Sequence, residues 1–179
     1  MARLSRLQPV LLLLGSALLQ AQDFRVGAGV FLLADQGQDF QIGFRPASSH
    51  WQFSYRHVQW RDHFNDPFTG RRLTETTETR TGPLVDYLFS PQSPGSWYLG
   101  GAVFRWSKRE KSLLTGEVDR VATTAPFIGG GYTHTLGRHV YFNLGLYLSP
   151  GTRLSTRTSV SSEDDSGAFD IQIQIGVRF

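Results

Sequence analysis

Residues 168–179 read AFDIQIQIGVRF, an alternation that runs unbroken to the last residue. Phe169, Ile171, Ile173, Ile175, Val177 and Phe179 share one parity; Ala168, Asp170, Gln172, Gln174, Gly176 and Arg178 share the other. Successive side chains of a strand point to opposite faces, so as a strand this segment is apolar on one side and polar or small on the other. At about 3.3 Å per residue it spans roughly 40 Å, well beyond an ordinary strand of ~5–6 residues. A membrane-crossing strand needs about 9–11 residues, with apolar side chains toward lipid and polar ones toward the lumen. With its terminal aromatic, the segment predicts the closing strand of an outer-membrane β-barrel.

The other end of the chain agrees. Arg3 and Arg6 form a short basic start, residues 10–19 an apolar stretch, and Ser16, Ala17 and Ala21 are small residues near a cleavage point after Ala21. That is the make-up of a secretory signal, although Leu19 departs from the small-x-small rule. The apolar run is shorter than the ~20 residues of a membrane helix; a buried N-terminal helix is the alternative. The expected organisation is a signal over residues 1–21 and one barrel domain over 22–179. Arg3 and Arg6 supply two of the formal net charges of +3, so the basic balance says little about nucleic acid, and no basic run supports one. The chain has no cysteine, which rules out a disulfide framework or a thiolate metal site.

Between the two ends, eight strand-length segments can be marked. The first covers residues 23–34, with Phe24, Val26 and Ala28 opposite Arg25, Gly27 and Gly29; the second covers 39–45, with Phe40, Ile42 and Phe44 opposite Gln41, Gly43 and Arg45. A third opens at His50 with Trp51, Phe53 and Tyr55 opposite Gln52, Ser54 and Arg56. Its phase breaks near His57 and Val58 and resumes with Trp60, which reads as a bulge or an exit from the membrane. The fourth covers 74–89 and the fifth 97–107, where Tyr98, Ala102, Phe104 and Trp106 oppose Arg105. The sixth, 118–135, is blurred by Pro126 and the glycines 129–131. The seventh, from Val140, sets Phe142, Leu144, Leu146 and Leu148 against Tyr141, Asn143, Gly145 and Tyr147. Short Pro/Gly turns (46–49, 90–96, 136–139) alternate with longer polar loops (63–72, 108–117, 151–167). Short periplasmic turns and long external loops are the outer-membrane pattern; seven or ten strands are the alternatives to eight.

Charge phasing gives the lumen its expected contents. Arg25, Arg45, Glu78, Arg80, Asp86, Arg105, Asp170 and Arg178 lie on the parity opposite the apolar residues. An Arg or Lys facing lipid at the midplane costs about 2–4 kcal/mol, so these eight are expected inside, as a structural network of hydrogen-bonded ion pairs. An eight-stranded barrel is just wide enough for its own side chains, so the lumen is expected to be plugged. Alternation alone fits a soluble lipocalin-like barrel turned inside out equally well. Strand length, the terminal aromatic and aromatics mostly near strand ends (Trp51, Tyr55, Trp60, Tyr87, Phe89, Trp97, Tyr98, Trp106, Tyr132) favour the membrane.

The signal, the alternation, the loop asymmetry and the terminal IQIQIGVRF together resemble the small eight-stranded outer-membrane proteins of the OmpA/OmpX type. The resemblance covers residues 22–179 as a pattern. It implies an all-β, antiparallel up-and-down barrel in the cell outer membrane, monomeric, in contact with outer-membrane lipid and lipopolysaccharide. It also implies that Ile173, Ile175, Val177 and Phe179 form the signal read by the barrel-assembly machinery. Members of that family adhere, anchor or support, and the fold does not choose among these roles; an unknown surface ligand at the long loops is one open expectation.

No enzymatic site is expected. Nucleophilic catalysis needs a Ser beside a base that is itself oriented by an acid. His134, in Tyr132-Thr133-His134-Thr135-Leu136, lacks a His-x-Ser spacing and lies beside a periplasmic turn; His57 is the other His within a strand. A lipid A-modifying barrel is therefore the second reading. His63 with Asp62 and Asp66, and the SSEDD run 161–165, are weak metal candidates, better read as solvated loops. Neither cofactor nor metal is expected.

Overall fold

Alternating residues with β-favouring side chains pair with their chain neighbours, and the pairing closes on itself. The computed structural model describes residues 21–29, 37–157 and 162–179, so the signal assigned to 1–21 lies almost wholly outside the described residues, as do 30–34 of the first strand. Among the described residues there are eight strands: β1 (Ala21–Gly29), β2 (Gln38–Pro46), β3 (Trp51–Asn65), β4 (Arg72–Leu88), β5 (Gly95–Ser112), β6 (Val118–Leu136), β7 (Val140–Arg157) and β8 (Ser162–Arg178). Each pairs antiparallel with the next, and β8 returns to β1 through Val26 opposite Val177 and Ala28 opposite Ile175. Backbone bonds between Phe24 and Phe179, 2.9 and 3.2 Å long, finish the seam. The result is an all-β, up-and-down barrel, closed where all eight strands pair.

The polar loops expected between strands are in large part strand. The β3–β4 ladder runs unbroken to Phe64 opposite Thr74, β5 with β6 to Lys111 opposite Val118, and β7 with β8, after a register shift between Ser149 and Arg153, to Arg157 opposite Ser162. What remains of the expected loops is 66–71 and 113–117, with 158–161 outside the described residues. The reason is physical: ladder hydrogen bonds do not need an apolar face, so the strands continue past the point where the apolar alternation stops. With 15 to 19 residues each, β3 to β8 are longer than the ~9–11 residues of a strand that crosses a bilayer, and the three hairpins project past the closed ring on one side.

Two local expectations are corrected. β3 has no break at His57 and Val58: Val58 is buried, His57 faces out, and the register shifts only between Phe64 and Asn65. Trp60 then faces in, its ring 4.7 Å from the Arg80 guanidinium. The faces of β5 are also inverted. Tyr98, Ala102, Phe104 and Trp106 are buried, whereas Leu99, Val103 and Arg105 face out. β5 is apolar on both faces, so its own pattern could not decide. Pairing does: residues directly opposite in an antiparallel ladder share a face, and Trp106 stands opposite the inward Arg80.

The interior core is aromatic and tightly fitted to glycine. A Cβ at Gly145 would lie 2.2 Å from the Tyr98 hydroxyl, and one at Gly131 would lie 2.6 Å from it. Tyr98 is only 4% exposed and has nowhere to swing. Gly145→Val is therefore expected to overpack the barrel by about 1–3 kcal/mol. Equilibrium urea unfolding in detergent would register this as a lower midpoint. Adding Tyr98→Phe, which removes the clashing oxygen, should recover part of the loss. Purely additive effects of the two changes would show that the glycine is not there for the ring.

Candidate functional site: the charged lumen and the outer wall

Period-2 alternation sends every second polar residue inward, and closure brings residues far apart in sequence within bonding range. At the end carrying the short turns, Asp23 of β1 is fully buried. It accepts from Arg25 at 2.8 and 3.1 Å and from Arg45 of β2 at 3.2 Å, with Arg178 of β8 at 3.4 Å. Arg25 also donates to Thr133 at 3.3 Å and lies 5.2 Å from the ring centre of Tyr141. Arg45 bonds the carbonyl of Pro91, and Arg178 donates to Thr135 at 3.1 Å. Three strands around the β1–β8 seam are thus tied to one carboxylate.

Higher in the barrel a second cluster is built on Arg56 of β3. Its guanidinium donates to both oxygens of Asp39, at 2.9 and 2.8 Å, to the Asp170 carboxylate of β8, and to the Ile171 carbonyl at 3.1 Å. Beside it Arg80 pairs with Glu78 at 2.8 Å and bonds the Phe169 carbonyl. The same guanidinium lies 4.7 Å from the Trp60 ring and 4.9 Å from that of Trp106, whose indole donates to Glu78 at 2.5 Å. Such stacking suits the planar, weakly hydrated Arg. Between the clusters, Tyr147 donates to Asp86, and Asn143 to Gln172 at 3.1 Å. A cavity of about 360 Å³ adjoins the upper cluster, lined by Val58, Trp60, Phe169 and Ile171 with Arg80 and Asp170.

The residues expected in the lumen therefore fall into distinct places. Arg25, Arg45, Glu78, Arg80, Asp86 and Asp170 are buried inside, and Arg178 lies on the inner parity at the rim, its side chain 28% exposed. Arg105 does not join them: it is a correction, standing on the outer wall because its neighbour Trp106 is held inward by Glu78. The structure brings together two clusters and a separate Asp86–Tyr147 pair instead of one network. Sequence reasoning left Asp23, Asp39 and Arg56 out of the set, although all three lie on the inner parity of their strands. Lys108 and Glu110, assigned to a loop, are buried on the inner face of β5.

Outside, the wall is apolar. Phe40, Ile42, Phe53, Leu99, Val103, Leu144, Leu146 and Ile175 are all exposed. Aromatic rings gather toward the short turns, with Trp51 against Tyr87 at 5.1 Å and Trp97 against Tyr132 at 5.2 Å. Ile173, Ile175, Val177 and Phe179 run along the outer face of β8 beside the seam. His57 and His134 are also outward: His57 meets Thr81 at 2.6 Å and stacks on Phe40, and His134 stacks on Tyr132. Among the described residues no three His, Asp or Glu side chains assemble a metal-binding group. Beyond the wall, in the loop 66–71, the exposed Asp66 carboxylate accepts from the Phe68 and Thr69 amides, which holds it below the usual carboxylate range.

This is the fold of the small eight-stranded outer-membrane β-barrel proteins. Among solved structures it is similar to Neisserial surface protein A, NspA (14% identity over 87% of this chain and 92% of that one, TM-score 0.53). It is also similar to Ail, the attachment invasion locus protein of Yersinia pestis (10% identity, 89% and 99%, TM-score 0.52). A further match is Ail in complex with the heparin analogue sucrose octasulfate (11% identity, 88% and 95%, TM-score 0.51). No protein-family model and no curated sequence matches the chain.

Proposed function

We propose that the chain is an integral barrel of the cell outer membrane whose lumen is closed by its own side chains, with a structural or surface-interaction role and no enzymatic one. The observation that carries this reading is the contrast between the two faces of one wall. Phe40, Ile42, Val103, Leu144 and Leu146 stand outward, while ion pairs such as Arg56 with Asp39 are wholly enclosed. A water-soluble barrel puts charge outside and apolar side chains within; here lipid is the solvent that suits the wall. In this setting the short turns face the periplasm and the long hairpins face outward, among lipopolysaccharide and any surface partner. Ile173, Ile175, Val177 and Phe179, lying beside the last seam to close, are the segment offered to the barrel-assembly machinery. The barrel needs no partner chain to close, which suits a monomer.

Gel mobility of the extracted membrane fraction tests it. A folded barrel resists SDS and shifts only on boiling, and that shift is the expected result, in the outer-membrane fraction. Release by osmotic shock without any shift would sink the reading. In planar bilayers the same protein is expected to show no stable conductance steps if, as proposed, the clusters built on Asp23 and Arg56 close the lumen.

A further inference from the structure

The outer wall carries one departure from its apolar character. On β5 the outward column runs Trp97, Leu99, Gly101, Val103, then Arg105, Ser107, Arg109 and Lys111. Eight residues at about 3.3 Å, tilted by about 40°, set Arg105 roughly 20 Å above Trp97, close to the ~25 Å height of a barrel's apolar band. Arg105 thus stands at the outer edge of that band, and Arg109 roughly 10 Å higher.

Cross-strand pairing widens the column into a patch. Arg61, Thr77, Arg109 and Arg120 follow one another across β3, β4, β5 and β6 as directly opposed residues. Arg109 and Arg120 therefore face each other in a pair of like charge, an arrangement that destabilises a sheet on its own. Arg61, Arg105, Arg109 and Arg120 are all exposed. The outward acid of β4 on this part of the wall, Glu75, lies opposite Lys111. A recess of about 500 Å³ is lined by Arg105, Arg109 and Arg120 together with Lys108 and with Thr77, Thr79 and Ser107, whose hydroxyls add neutral donors.

We propose that this recess binds the phosphate groups of outer-leaflet lipid A, with Arg105, Arg109 and Arg120 as the binding residues and Arg61 at its margin. The inference rests on the membrane reading above, which sets the height of the patch. Charge and height argue together: phosphates lie at the boundary where the apolar column ends, and guanidinium forks match phosphate oxygens two at a time. The ligand supplies negative charge to the opposed Arg109 and Arg120, and the patch in turn fixes the depth at which the barrel sits.

The test uses the full chain, purified from membranes and reconstituted in phosphatidylcholine nanodiscs. It is titrated with bis-phosphorylated lipid A, with dephosphorylated lipid A, and with soluble sucrose octasulfate. The phosphorylated lipid is expected to bind more tightly than the dephosphorylated one, by a margin that shrinks as salt rises. Each cation near an anionic surface supplies about a fivefold preference, so R105Q/R109Q/R120Q should weaken phosphorylated lipid A binding on the order of 100-fold. The variant should keep its heat-dependent gel shift. Equal affinity of wild type and variant, or of the two lipids, overturns the proposal. So does binding of sucrose octasulfate that needs the three arginines while lipid binding does not, since the patch would then serve a soluble polyanion. A chain that never inserts into nanodiscs and shows no gel shift overturns the membrane reading itself, an outcome distinct from one that inserts and ignores phosphate.

Discussion

Arg56→Ala is expected to lower the stability of the folded barrel by about 3–5 kcal/mol, the range for removing one partner of a buried ion pair. Arg56 is fully buried and is the donor common to Asp39 and Asp170. Without it, Asp170 keeps Arg80 at 3.9 Å, and Asp39 keeps a 3.5 Å bond from Gln174. Against a total stability of about 5–15 kcal/mol, such a loss decides whether the protein folds in usable yield. Equilibrium urea unfolding, followed by tryptophan fluorescence or by the folded gel band, reads the effect. Arg56→Lys should fall between, because one ammonium cannot span both carboxylates with a planar fork. The combination Arg56→Met, Asp39→Asn, Asp170→Asn should recover much of the loss, since it leaves no buried charge unpaired. A stability change within about 0.5 kcal/mol for Arg56→Ala, the scale of an ordinary surface substitution, would remove Arg56 from its central place.

The second large effect is expected at the other end of the barrel, and it should have a different signature. Asp23→Ala leaves Arg25, Arg45 and Arg178 converging with no anion between them. The expected loss is about 3 kcal/mol, at the lower end of the buried-pair range, because the Arg178 side chain is 28% exposed and water can reach it. Being at a mouth, this site should be rescued by added anion: sulfate should raise the urea midpoint of Asp23→Ala well beyond its general effect on wild type. The same salt should do no such thing for Arg56→Ala, whose site is enclosed and left with excess negative charge. An identical sulfate response in the two variants would show that their losses come from general loosening. Because Asp23 and Arg178 straddle the β1–β8 seam, Asp23→Ala should also slow barrel closure during refolding.

The C-terminal segment was legible because every residue from Ala168 to Phe179 obeys one period, and β7 was legible for the same reason. Both faces of that segment and the nine outward or inward assignments from Val140 to Leu148 could be read directly. β5 was not legible in phase. Leu99 and Val103 are as apolar as Phe104 and Trp106, so nothing within the strand says which set meets the solvent. Its facing is decided by the neighbour, where Arg80 and Glu78 hold Trp106 inward. The projecting hairpins were hidden for a related reason. Above the apolar band both faces are polar or mixed, so the two-residue period that marks a strand carries no contrast.

The candidate site divides along the same line. Parity within a strand is a local property, so the sequence by itself determined the all-β class, the outward apolar face, and the inward direction of Arg25, Arg45, Glu78, Arg80, Asp86 and Asp170. Pairing is a property of closure. Arg56 and Asp170 are 114 residues apart, and Arg25 reaches a threonine 108 residues away. Which charges meet depends on the stagger between strands, and stagger is set by the whole ring at once. Only the tertiary structure decided, therefore, that the inner charges form two clusters, that Asp23, Asp39 and Arg56 anchor them, and that Arg105 stands outside beside Arg109 and Arg120.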